Sequence, residues 1–153
     1  ASTEGRGTTI DIWLPRAHLP LSPQPTRAAS ASRPHGSGRV LFVEDDTLVR
    51  EAVMRGLEEA GFDVLVAATG DQALAMLEAG LDADVVFSDI VMPGKVSGID
   101  LAALLRERRP RLPVVLATGY TGQRATVPGV QVLAKPYEID QLVALLSSLT
   151  HPA

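Results

Sequence analysis

"RVLFVEDDTLVREAVMRGLEEAGFDVLVA", residues 39 to 67, sets two apolar, β-branched runs on either side of a stretch with helical period. Val49, Val53, Leu57 and Ala60 fall on one helix face, and Gly61 supplies the stop. Strands that are apolar on both faces must be covered on both, so strand, helix and second strand together indicate a parallel sheet between helical layers. The same stretch crowds Glu44, Asp45 and Asp46 where its first strand ends. Like charges this close raise each other's pKa values unless a cation neutralises them.

The alternation continues outward from this unit. "DVVFS" (84 to 88), "PVVLA" (113 to 117) and "VQVLA" (130 to 134) are further candidate strands. Leu74 and Leu77 mark a second helix ended by Gly80, Leu101, Leu104 and Leu105 a third, and Ile139, Leu142, Val143 and Leu146 the last. With right-handed crossovers, this predicts a five-stranded doubly wound α/β domain. The interval "TGYTGQRATVPG", 118 to 129, is the exception, because its glycines and Pro128 leave room for little more than one or two helical turns.

Upstream, "TTIDIWL" (8 to 14) alternates Ile10, Ile12 and Leu14 with Thr9, Asp11 and Trp13, the pattern of a strand with one buried face and in need of a partner. From Pro15 to Gly38, prolines at 15, 20, 23, 25 and 34 among Ser and Ala predict a flexible linker with extended stretches. The 153 residues, 46% hydrophobic, suffice for one domain with a core and some residues to spare. Of the 18 acids and 14 bases, residues 1 to 37 hold two and four, leaving sixteen acids against ten bases from residue 38 onward. That acidic body disfavours nonspecific nucleic-acid binding. The absence of cysteine excludes disulfides and thiolate metal sites and is compatible with a reducing cytoplasm. No apolar run approaches the length of a membrane span, and the N-terminus lacks the basic start and apolar core of a signal peptide, so no direct membrane contact is expected.

In doubly wound sheets, ligands sit beyond the carboxyl ends of the strands. Here those ends supply Glu44, Asp45 and Asp46, then Asp89, Thr118 and Lys135, residues far apart in sequence. An all-oxygen ligand set without His or Cys favours Mg²⁺, with Mn²⁺ as an alternative, over zinc. A carboxylate beside such a cation, with a lysine and a hydroxyl opposite, suits phosphoryl acceptance. Asp89 would attack in line to form an acyl phosphate, while the metal, Lys135 and Thr118 neutralise charge on the equatorial oxygens. There is no phosphate loop, because no Gly-Lys-Ser or Gly-Lys-Thr opens a helix.

The segments "FVEDD", "VVFSDIVMPG", "VVLATGY" and "VLAKPY" resemble the signature segments of the receiver domain of bacterial two-component response regulators, over roughly Arg39 to Leu149. The resemblance implies a flavodoxin-like sheet of strand order 2-1-3-4-5, with Asp89 the phosphoacceptor, Asp45 a direct metal ligand and Glu44 a ligand through water. It further implies that the Val91 backbone carbonyl completes the coordination, that Thr118 and Lys135 sense and bind the phosphoryl group, and that the Lys135-Pro136 bond is cis. "EGRGTTIDIWLPR", 4 to 16, is similar to the last glycine turn and final strand of the ATP-binding domain of sensor histidine kinases. Together these imply a hybrid histidine kinase, with residues 1-15 a remnant strand of its ATP-binding domain, 16-38 the linker and 39-150 the receiver. The partner would be a histidine kinase core or a histidine phosphotransfer protein. The location would be cytoplasmic, a membrane-anchored parent kinase being compatible. The alternative reading is a regulatory interaction module that inhibits or tunes its parent kinase, with a flavodoxin-like ligand-binding domain ranked below it.

The chain also departs from the family pattern. Val132 stands three before Lys135, where many receivers place a switch Phe or Tyr, and only 17 residues separate Thr118 from Lys135, so the fourth helix is expected to be short or disordered. No output domain is expected after Leu149. Val91 and Tyr120, two residues beyond Asp89 and Thr118, cannot readily activate water, which predicts slow self-dephosphorylation. Asp46 is as well explained as a helix cap as it is as a ligand. His18, His35 and His151 have no helical context that would present them for phosphotransfer, and the arginines at 106, 108, 109 and 111 read as a solvated helix end.

Overall fold

Burial alternates along the first strand of the main sheet because successive side chains point to opposite faces. Val40 and Phe42 enter one apolar cluster and Leu41 and Val43 the other, and all four are essentially inaccessible to solvent. The computed structural model describes residues 2–3, 7–8, 35–119 and 127–150 of the chain, which divides into two units, Ala1–Ala31 and Ser32–Ala153. In the first unit, β1 (Ser2–Thr3) pairs antiparallel with β2 (Gly7–Thr8). Of the strand expected over residues 8 to 14, only Thr8 is among the described residues.

In the second unit, β3 (Arg39–Val43), β4 (Asp63–Ala67), β5 (Val85–Asp89), β6 (Val114–Thr118) and β7 (Gln131–Ala134) form one parallel sheet in the order β4-β3-β5-β6-β7. Counted within the sheet this is 2-1-3-4-5, the order that the resemblance implied. Helices α1 (Thr47–Glu59) and α4 (Ile139–Thr150) bury Val53, Leu57, Leu142, Val143 and Leu146 against Val40, Phe42, Phe87 and Val115. Helices α2 (Gly70–Glu78) and α3 (Gly98–Arg108) bury Ala73, Leu77, Leu101 and Leu105 on the other face, against Leu41, Val43, Val86 and Leu116.

Two details differ from the sequence reading. Only the central strands are buried on both faces; at the sheet edges, β4 fully buries Ala67 alone and β7 Leu133 alone, leaving Val132 44% exposed. An edge strand lacks a neighbour on one side, so its apolar residues are covered less completely. On α1 the buried stripe begins one turn late, since Val49 remains 37% exposed while Val53 and Leu57 are buried. Among the described residues the unit has these four helices; the short helix expected between β6 and β7 falls largely on residues 120–126, outside the described residues.

The last residues of the segment read as linker, His35 to Gly38, do bond to the domain. The Gly36 amide donates to the Ala60 carbonyl at 2.9 Å, and the Gly38 carbonyl accepts from the Asp63 amide at 3.0 Å.

Helix α3 begins with a capping box, Ser97 and Asp100 each accepting from the other's backbone amide. Its first residue, Gly98, donates to the Ile90 carbonyl at 3.0 Å and lies so close to β5 that a Cβ there would collide with the Asp89 carbonyl oxygen. Glycine at 98 is therefore a condition for the helix to start against the strand that carries Asp89. Gly98→Ala is expected to lose about 3 kcal/mol of stability, read as a lowered urea midpoint at unchanged slope.

Candidate functional site

Parallel strands deliver their carboxyl ends to a single edge of the sheet, and the candidate residues gather there. Glu44 directly follows β3, and its amide still donates to the Ala67 carbonyl at the end of β4, at 3.1 Å, which fixes its backbone. Asp89 is the last residue of β5. Lys135 directly follows β7, and its amide donates to the Thr118 carbonyl at 2.7 Å, which ties the ends of β6 and β7 together. The Lys135-Pro136 bond is cis.

From that anchor the Lys135 side chain crosses the sheet edge. Its Nζ donates to Asp89 Oδ2 at 2.8 Å and to Glu44 Oε2 at 3.1 Å. The two carboxylates are largely withdrawn from solvent, with side-chain exposures of 15% and 3%. Asp89 Oδ1 accepts from the Ile90 amide at 2.7 Å, so both of its oxygens have partners. One carboxylate oxygen each from Glu44, Asp45 and Asp89 lie within 4.8 Å of one another, the grouping among the described residues that could hold a metal ion.

Burial lowers the Lys135 pKa, but the hydrogen bonds and charges of Asp89 and Glu44 outweigh it and hold the ammonium above its ordinary value. A raised folded-state pKa means that this contribution to stability is complete at neutral pH and is lost only as pH rises through the raised value.

The three consecutive carboxylates turn out not to be equivalent. Asp46 is the N-cap of α1, its Oδ1 accepting from the Leu48 and Val49 amides at 2.8 and 3.0 Å. Glu44 is buried and Asp45 exposed, and both offer an oxygen to the acidic group. Thr118 ends β6 half-buried, and Val91, two residues past Asp89, is 75% exposed. Tyr120 lies outside the described residues.

Three further residues shape this edge and were not singled out from sequence. Arg50, on α1, donates to the Glu44 and Asp45 carbonyls at 2.7 and 3.2 Å. Asp71, on α2, accepts from the Lys95 and Val96 amides at 2.9 and 3.2 Å and so pins the loop that follows Asp89. The four-residue spacing of Arg50 from Asp46 points to an ion pair that does not form, and Asp71 meets amides 24 and 25 residues away with no local signal. Tyr137 packs edge-on against Phe87 at 5.7 Å between centroids, and Phe87 in turn stacks on Phe42 at 5.3 Å.

The Tyr137 hydroxyl is buried without a hydrogen-bond partner among the described residues, and burial pushes its pKa up to about 12. A buried unpaired hydroxyl costs stability, whereas a phenyl ring would keep the packing without it. Tyr137→Phe is expected to leave the protein as stable or to stabilise it by up to about 1 kcal/mol in chemical denaturation.

Residues 40–147 match the model of the response regulator receiver domain family. The chain is 32% identical to the sensor kinase CckA of Brucella abortus (strain 2308), over 97% of its own length and 17% of the kinase. It is 37% identical to the DNA-binding transcriptional regulator NtrC of Salmonella typhimurium, over 71% of this chain and 24% of that protein. The chain thus spans a quarter or less of these two relatives. Among solved structures, the receiver domain of the hybrid histidine kinase CckA is 35% identical with a TM-score of 0.64, covering 74% of this chain and all of that one. The response regulator TrrA of Thermotoga maritima, in complex with Mg²⁺ and BeF, is 29% identical with a TM-score of 0.66, covering 72% and 97%. No helix among the described residues is long and apolar enough to cross a membrane.

Proposed function

The chain belongs to the response regulator receiver domain family of two-component signalling, and from that premise we propose that Asp89 accepts a phosphoryl group from a kinase histidine. The observation that carries this reading is the Lys135 ammonium held between Asp89 and Glu44, at 2.8 and 3.1 Å, by strands that are far apart in sequence.

Glu44, Asp45 and Asp89 would hold Mg²⁺, and Mn²⁺ would suit the same oxygens. The fit rests on their chemistry: three carboxylates offer oxygens within 4.8 Å of one another, all their donors are hard oxygens, and among the described residues the ammonium of Lys135 bonds to two of them. When bound, the cation would supply charge neutralisation at the transferring group. In the proposed step, an Asp89 carboxylate oxygen bonds to phosphorus as the phosphorus-nitrogen bond of phosphohistidine breaks, and the leaving imidazole retains that electron pair and takes up a proton. Lys135 stays an ammonium throughout, released by the loss of negative charge on Asp89 to pair with the phosphoryl oxygens. Thr118, at the end of the neighbouring strand, is the proposed hydroxyl partner of that group. The Ile90 amide holds the carboxylate's orientation before attack.

The alignment with a sensor kinase runs over 97% of the chain, beyond the receiver itself. That extent supports a hybrid histidine kinase, with a kinase core or a histidine phosphotransfer protein as donor. It also keeps open the tuning of the parent kinase by the receiver, which needs no onward transfer.

Incubation with Mg²⁺ and a small phosphodonor is expected to add one base-labile phosphoryl group, seen by intact mass, and Asp89→Asn to abolish it. Labelling that persists in Asp89→Asn would overturn the assignment. For the phosphorylated protein, Val91→Asn is expected to shorten the acyl-phosphate half-life by at least about threefold, because a polar side chain can orient water where valine cannot. An unchanged half-life would remove Val91 from that role.

A further inference from the structure

Arg50 sits one helical turn beyond the acidic loop, with Glu44, Asp45, Asp46 and Glu51 all close in sequence. Yet among the described residues its guanidinium pairs with no carboxylate. It donates through Nη1 to the Glu44 carbonyl at 2.7 Å and to the Asp45 carbonyl at 3.2 Å, and through Nη2 to Thr47 Oγ1 at 3.2 Å. Its own backbone amide donates to the Asp46 carbonyl at 2.9 Å. One residue therefore satisfies three consecutive carbonyls, those of all three acids in the loop. The planar guanidinium reaches both carbonyls through Nη1 and the Thr47 hydroxyl through Nη2 in one fixed geometry, and a lysine ammonium has only a single nitrogen for all three.

The remaining contacts of the loop complete the clamp. The Glu44 amide is fixed to β4, the Asp46 side chain is committed to capping α1, and the Asp46 amide donates to Glu44 Oε1 at 3.3 Å. With the backbone of Glu44 to Asp46 held at each residue, the carboxylates of Glu44 and Asp45 are left to join Asp89, that of Glu44 while each of its oxygens also accepts one hydrogen bond. Cations at this edge are thereby divided, Lys135 on the carboxylates and Arg50 on the backbone beneath them.

Resting on the reading of the acidic group as a Mg²⁺ site, we infer that Arg50 is a positioning residue: its side chain sets the loop so that Glu44 and Asp45 present their oxygens together with Asp89. Groups that orient metal ligands without touching the metal commonly contribute tenfold or more to affinity. The sign separates this role from electrostatics. A nearby cation repels Mg²⁺, so if Arg50 acted through charge alone, removing it would tighten binding, and a lysine in its place would change nothing.

The test is calorimetric titration of the 153-residue chain with MgCl₂, alongside thermal melting of the metal-free protein. Arg50→Met and Arg50→Lys are both expected to weaken Mg²⁺ binding, by about tenfold and by at least about fivefold. Binding by Arg50→Lys within about twofold of the wild type, or tighter binding by Arg50→Met, overturns the inference. If Arg50→Met does not fold, Thr47→Val, which removes only the hydroxyl acceptor, joins Arg50→Lys as the second variant. It is expected to show a smaller loss of affinity with an unchanged melting temperature, and wild-type affinity in both variants would overturn the role. A wild-type chain that shows no Mg²⁺ binding would sink the metal reading instead, so the two failures are distinguishable.

Discussion

The ammonium of Lys135 makes the rest of this edge possible. Asp89 and Glu44 stand at the ends of adjacent strands with their side chains nearly out of water, where two buried carboxylates need a counter-charge. Lys135 reaches them from the far edge of the sheet, on a backbone tied to Thr118 at the end of β6. Its own desolvation is outweighed by the two anions it joins. A third carboxylate, Asp45, adds more negative charge than this one lysine can balance, which is the electrostatic case for a divalent cation.

Holding such a group in register requires stiff surroundings. The sheet provides the coarse placement, because β3, β5, β6 and β7 run parallel and stop at one edge. Finer placement comes from polar bonds to the loops: Asp46 and Arg50 on the first, Asp71 on the loop after Asp89, and the Ser97 capping box where α3 begins. Gly98 allows that helix to approach the Asp89 carbonyl. Beneath the site, Phe42, Phe87 and Tyr137 form a continuous aromatic column, so the core packs directly under the charged edge.

Much of this was legible in the chain. The α/β alternation and the parallel sheet followed from apolar runs and helical period, the strand order came from the resemblance to receiver domains, and the receiver signatures matched a family model over residues 40–147. Less legible were features that depend on partners distant in sequence. Val49 and Val132 read as buried from their pattern, yet Val49 lies above the buried stripe of α1 and Val132 on an edge strand. Tyr137 was visible as the residue after Lys135-Pro136, but its buried, unpartnered hydroxyl was not. Asp71 looked like an ordinary acid in the first turn of a helix.

By itself, the sequence determined which side chains could do chemistry here and that they would stand at strand ends, because hydrophobic period and strand-end position are local properties. Only the tertiary structure decided how the three acids divide. Asp46 turns to the helix amides, Glu44 is buried against Lys135, and Asp45 stays exposed beside them. It also decided that Arg50 would bond to their carbonyls rather than their charges. Identical or neighbouring residue types take different roles when the direction of each side chain is set by groups from other strands and helices, and no local pattern encodes that direction.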